Sequence, residues 1–158
     1  MKGESVFILP KQATKFYTIK IGRLAFIDTL NYFPFSLSKL TNSLTGENWQ
    51  MNLSITRKIL ELEGYSDSLI DKTMGKGSFP YEHMKSIENF YEIGPPPKEA
   101  FHSSLTGPIT DEKYQQVCEI FKDPKINTIR DQHDIYLATD VGLLADIREF
   151  YRGYCRNQ

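Results

Sequence analysis

Thr128-Ile-Arg-Asp-Gln-His-Asp-Ile-Tyr136-Leu-Ala-Thr-Asp140-Val-Gly-Leu-Leu-Ala-Asp-Ile-Arg-Glu-Phe-Tyr151 reads as one long helix with a carboxylate set into its apolar stripe. At about 100° per residue, Ile129, His133, Tyr136, Asp140, Leu144, Ile147 and Tyr151 fall on one face, which turns Asp140 inward. An ionised carboxylate on a core-facing stripe is costly unless it is paired, hydrogen-bonded or bound to a metal. Spacing alone leaves two accounts open. Either Asp140 sits at the stripe's edge, bonded to a backbone amide or an Arg, with Tyr136 as ordinary core. Or Asp140 ligates a divalent cation while the Tyr136 hydroxyl orients a water beside it.

Working outward, the chain before this helix divides into a strand-like start and a helical remainder, an α+β pattern. Ser5 to Leu9, Lys15 to Ile21 and, after Gly22, Arg23 to Asp28 alternate like neighbouring strands. Pro34 breaks the pattern, and Ser36 is a good N-cap for a short helix with Leu37, Leu40 and Leu44 on one side. Further helices are expected over Ile55 to Leu62, over Asp67 to Met74, and from Asp111 to Phe121 behind a Thr110 cap. Gly94-Pro-Pro-Pro97 forms a stiff connector, and the stretch from Lys76 to Pro97 is mostly loop and rich in Tyr. No repeat and no linker divides residues 1–158, so a single domain segment is expected.

Composition narrows the class. The 158 residues are 40% hydrophobic and 13% aromatic, enough for a folded core, and the net charge of −1 gives no global basic field, so any nucleic-acid contact must be local. Cys118 and Cys155 lie far apart without metal-ligand spacing, which fits reduced thiols in a nuclear or cytoplasmic setting. The segment Met1–Pro10 lacks a secretory apolar region and no run reaches membrane-spanning length, so an intracellular protein off the membrane is expected.

Several short constellations carry chemistry. Ser36-Leu37 places a hydroxyl at a helix start, where free amides attract phosphate, although a plain cap reads the same way. Lys76 between Gly75 and Gly77 is either a solvated loop lysine or an ammonium brought onto a phosphate. Phe79, Tyr81 and Tyr91 offer faces for unpaired bases or anchors for a core. His133-Asp134 resembles half of a helical phosphohydrolase metal site, but His83 and His102 stand at no ligand spacing with it.

Taken in order, these pieces resemble a family. Tyr136-Leu-Ala-Thr-Asp140 resembles the third exonuclease motif of family B DNA polymerases. Phe26-Ile-Asp-Thr-Leu-Asn-Tyr-Phe-Pro-Phe-Ser36-Leu37-Ser-Lys-Leu40 resembles the segment after the second exonuclease motif in the protein-primed branch, with its Ser-Leu-x-x-hydrophobic element. Lys76-Gly-Ser-Phe79 resembles that branch's Lys-x-x-hydrophobic motif, and the spacing is most similar to polymerases of Polinton or Maverick elements and linear plasmids.

The resemblance implies a 3′-to-5′ proofreading exonuclease segment with a partial ribonuclease H-like fold, a few strands followed by mostly helices. Asp140 would ligate one ion of an Mg2+ or Mn2+ pair, Tyr136 would orient the attacking water, and Lys76 would support the scissile phosphate. Ser36, Leu37 and Phe79 would hold the single-stranded primer end, and Ser36 and Leu37 also the terminal protein. The first motif, Asp-x-Glu, and the second, Asn-x-x-Phe-Asp, are missing from these 158 residues, so one carboxylate stands where the centre needs several. The chain is therefore expected to be an internal piece of a longer DNA-directed DNA polymerase. By itself it should not cleave DNA, and it either awaits the missing parts or serves as a non-catalytic module for single-stranded DNA or the terminal protein.

Overall fold

The computed structural model describes residues 5–44 and 52–156, so the first four residues of the Met1–Pro10 segment lie outside the described residues. The backbone gathers into two compact units that divide after Ser36. Together they make an α+β protein, with an antiparallel sheet preceding the helices.

The first unit is a meander of β1 (Val6–Gln12), β2 (Lys15–Ile21) and β3 (Leu24–Ile27) in the order β1-β2-β3. Directly paired residues share a face, so the rows Val6–Ile21–Leu24 and Ile8–Ile19–Phe26 form an apolar face, most of it exposed. The other face mixes Phe7, Leu9 and Ile27 with Lys20 and Thr18. β1 continues three residues past its expected end at Leu9 because Pro10 sits on an edge strand, where a register shift absorbs its missing N–H. A 3-10 turn, Thr29–Asn31, follows, with the Asp28 carboxylate accepting from Leu30 N.

The second unit contains α1 (Leu37–Leu44), α2 (Ser54–Leu62), α3 (Asp67–Thr73), α4 (Asp111–Ile120) and α5 (Ile129–Arg156). Their starts follow the side-chain oxygens available: Ser66 Oγ accepts from Leu69 N, and Thr110 Oγ1 accepts from Lys113 N. At the head of α5, Asp131 Oδ2 accepts from the amides of Asn127 and Thr128 and from the Thr128 hydroxyl, while Asp131 N donates back to Thr128 Oγ1. The loop from Lys76 onward returns to this point through Gly94 N bonded to Asn127 O and Ile129 N bonded to Glu92 O.

Leu60, Leu69, Ile70, Ile120, Ile126 and Ile135 form the core where α2, α3, α4 and α5 meet. Here the expected phase of the long helix is corrected. The deeply buried face of α5 runs through Ile129, Gln132, Ile135, Thr139, Gly142, Leu143, Asp146 and Ile147, while His133, Tyr136 and Asp140 are half-buried and Leu144 and Tyr151 are exposed. The stripe is rotated by roughly a quarter turn from the one read in the sequence. The reason is the α2–α5 crossing: a Cβ added at Gly142 would lie 2.8 Å from Thr56 Cα, so α2 seats on the small-residue side of α5.

That crossing buries a different carboxylate. Asp146 is 2% exposed, and its Oδ1 accepts from Ile55 N at 2.9 Å while Oδ2 accepts from Thr56 N at 2.9 Å and Thr56 Oγ1 at 2.6 Å. Leu53 at the N-cap of α2 makes no side-chain cap bond, so an acid from another helix caps α2 and faces the positive end of its dipole.

Candidate functional site around Tyr136 and Asp140

The site is built on the half-buried flank of α5. Tyr136 and Asp140 stand one turn apart, and the Tyr81 ring meets that of Tyr136 edge-on with centroids 6.1 Å apart. Burial pushes the Tyr136 phenol far above its ordinary range, and the neighbouring Tyr81 and Asp140 side chains push it the same way. Tyr136 is thus a neutral donor at every physiological pH and not a base.

Asp140 is less fully hydrogen-bonded than Asp146. Its Oδ1 is buried and has no hydrogen-bond partner, whereas every lone-pair direction that Asp146 turns toward α2 meets a donor. A buried anionic oxygen without a donor is costly and commonly marks a position that an ion, a water or a substrate group completes.

The loop bearing Lys76 lies on the tyrosine. A Cβ at Gly77 would come 3.1 Å from Tyr136 Cδ2, so the loop backbone lies close against the ring and a larger residue here would press on it. Gln132 Nε2, one turn before Tyr136, donates to Ser78 O at 3.0 Å and fastens the segment. Phe79 tilts over Tyr136 with ring centroids 5.7 Å apart and meets Tyr81 and His133 edge-on, each at 5.1 Å. Phe90 closes the far side of His133 at 5.3 Å. Phe79 is therefore an anchor within an aromatic cluster, while Tyr81, 64% exposed, offers the open face. Lys76 is exposed beside this cluster in sequence, next to Gly75 at φ +115°.

The structure thus brings Tyr136, Asp140, Gly77 and Phe79 together across nearly sixty residues of chain. Ser36 and Leu37 belong to a different element: Ser36 is exposed immediately before α1, and α1 packs on α5 with Thr41 and Leu44 buried. Sequence reasoning missed Gln132 as the residue that fastens the loop and Tyr81 as a partner of Tyr136. Gln132 stands one turn before Tyr136, a spacing that offers it to the same loop.

For a metal, the donor set is one carboxylate. Among the described residues no group of three or more His, Cys, Asp or Glu is placed to hold an ion. Asp140 fits one ligand of a divalent centre through its orphaned oxygen, and the residues around it do not fit a two-ion centre. Among the described residues, no helix is long and apolar enough to cross a membrane. Compared with known proteins, the chain matches no family model, no curated protein and no solved structure.

Proposed function

We propose that this chain is the primer-end region of a proofreading exonuclease of the protein-primed family B DNA polymerase type, and that alone it holds single-stranded DNA without cleaving it. The single observation that carries this reading is the packing of the Lys76–Phe79 segment on Tyr136, one turn from the open oxygen of Asp140. The motifs that the sequence orders far apart are neighbours, as a shared site requires. The strands-then-helices order is compatible with a partial ribonuclease H-like fold, and that finer assignment is part of the proposal.

In this reading the protonated Tyr136 hydroxyl holds a water or a phosphate oxygen against Asp140, Lys76 supplies a cation to the strand, and Tyr81 gives a base a stacking face. Ser36 and Leu37 would bind the primer strand or the terminal protein at the start of α1. Hydrolysis would need an Mg2+ or Mn2+ pair, for which one carboxylate is insufficient, so no cleavage step is assigned to this chain.

The test is fluorescence anisotropy of a labelled oligothymidylate against the full chain over a salt series, with and without Mn2+, followed by electrophoresis of the oligonucleotide. Binding without metal and an intact strand with metal are expected. Lys76→Ala should weaken binding and flatten the salt dependence by about 0.7 in the log–log slope, the contribution of one phosphate contact on a single strand. Asp140→Ala should leave metal-free binding intact. Cleavage by the purified chain would overturn the inactivity, and absence of binding at low salt would overturn the nucleic-acid reading.

A further inference from the structure

The buried face of α5 carries an amide that the protein's own groups satisfy at one end only. Gln132 is 2% exposed. Its Nε2 donates to Ser78 O at 3.0 Å, and a carbonyl oxygen can only accept, so the amide cannot be turned round. Oε1 is thereby fixed at the other end, shielded from solvent, and among the described residues nothing donates to it. A buried acceptor of this kind calls for a donor.

A cavity of about 20 Å3 lies against this side chain, where the Gly77–Ser78 backbone meets α5 and where Thr73 of α3 and Gln116 of α4 complete the wall. Size and lining together limit what can occupy it. One water needs roughly 10–15 Å3, so there is space for a single water and for little else. Among the described residues no charged side chain lines the cavity, so a metal ion would meet no counter-charge there. Nor are the walls those of a dry cavity, because Thr73, Gln116, Gln132 and Thr139 stand among Ile120 and Ile135.

The hydrogen bonds already made by these side chains define the chemistry that remains. Thr73 Oγ1 gives its proton to Ile70 O at 2.9 Å, and Thr139 Oγ1 gives its proton to Ile135 O at 2.8 Å, so both hydroxyls have only acceptor capacity left. The exposed Gln116 spends one N–H of Nε2 on Lys72 O at 2.8 Å and keeps the second. The set asks for an occupant that donates to oxygens and can also accept from an amide. Water does both.

We propose that this cavity is the site of one ordered internal water, which donates to Gln132 Oε1 beneath the Gly77–Ser78 backbone. Gln132 is then a positioning residue in two ways: it holds Ser78 directly, and it anchors the water on which the same loop rests. The site stands whether or not the chain binds nucleic acid.

A high-resolution crystal structure of the full chain should show one density peak in the cavity, within hydrogen-bonding distance of Gln132 Oε1. In solution, nuclear Overhauser transfer from water to the Gly77 and Ser78 amide protons should carry the sign of a slowly exchanging molecule. Both measurements use the unsubstituted chain, so they decide the matter whatever a variant does to folding. Gln132→Met keeps the length of the side chain and removes both polar ends. It should abolish the transfer and speed hydrogen exchange at the Ser78 amide about tenfold. A cavity without density, a protein donor on Gln132 Oε1, or transfer that persists in Gln132→Met overturns the proposal. Unchanged exchange at Ser78 overturns the positioning role.

Discussion

Two aspartates six residues apart on α5 show how one helix treats the same side chain in opposite ways. Asp146 is buried and saturated: two amides and a hydroxyl of α2 meet its oxygens, and the acid joins two helices. Asp140 is half-buried and incomplete: one shielded oxygen meets no donor. The difference separates an acid whose oxygens are met by another helix from one that keeps an oxygen unmet.

The sharpest way to break this contrast is Asp146→Ala. It strands the Thr56 hydroxyl and two helix-terminal amides in a dry interface, at a cost of roughly 3–4 kcal/mol, read by urea unfolding. Asp140→Asn, by contrast, should change stability by no more than about 0.5 kcal/mol, since the carboxylate it replaces was incompletely satisfied. Equal costs at the two positions would erase the distinction.

Gly142→Ala tests the same joint by volume. Its methyl group would press on Thr56 backbone at 2.8 Å, costing about 1–3 kcal/mol from overpacking, of which the better helix propensity of Ala returns roughly 1 kcal/mol. Circular dichroism melting of this variant beside Gly153→Ala, a helical glycine with nothing within 4 Å, isolates the contact.

The third comparison involves pH. Burial would raise the Asp131 carboxyl, but the Thr128 and Asn127 amides and the Thr128 hydroxyl outweigh it and hold the group below its usual range. A depressed acid stabilises the fold above its unfolded value, about pH 3.9, and this contribution fades as pH falls through the lower folded value. Asp131→Asn should therefore cost about 1 kcal/mol at neutral pH and progressively less in strong acid, by paired urea titrations. Tyr136→Phe should likewise cost at most about 1 kcal/mol, because it removes one hydroxyl and keeps the ring packed against Phe79 and Tyr81. Urea unfolding beside the unsubstituted chain checks it.

Most of the element pattern was legible in the residues because its signals are local. Gly22 marks the turn between β2 and β3, Ser66 and Thr110 cap α3 and α4, and alternation gives the strands. The length of α5 was legible too, apart from its last turn. Its phase was not, because Leu137, Val141 and Leu144 make the opposite side apolar as well and dilute the periodic signal. What decides between the two sides is the small side chain at Gly142 and the partner helix brought to it by residues about ninety positions earlier. For the candidate site, Tyr136 and Asp140 could be paired by their helical spacing, while Tyr81 and Gln132 could not be joined to them before the loop was folded back.

The close seat of Thr56 against Gly142 also sets a direction. A helix is a stiff rod, and the clamp at Asp146 lies only about 9 Å along the axis from Asp140. Fixing the rod there fixes the compass bearing of everything before it, so a side chain on α2 holds the aim of a carboxylate two turns away. Loosening Thr56 would let α5 roll, and the open oxygen of Asp140 would lose its heading before the protein lost its fold.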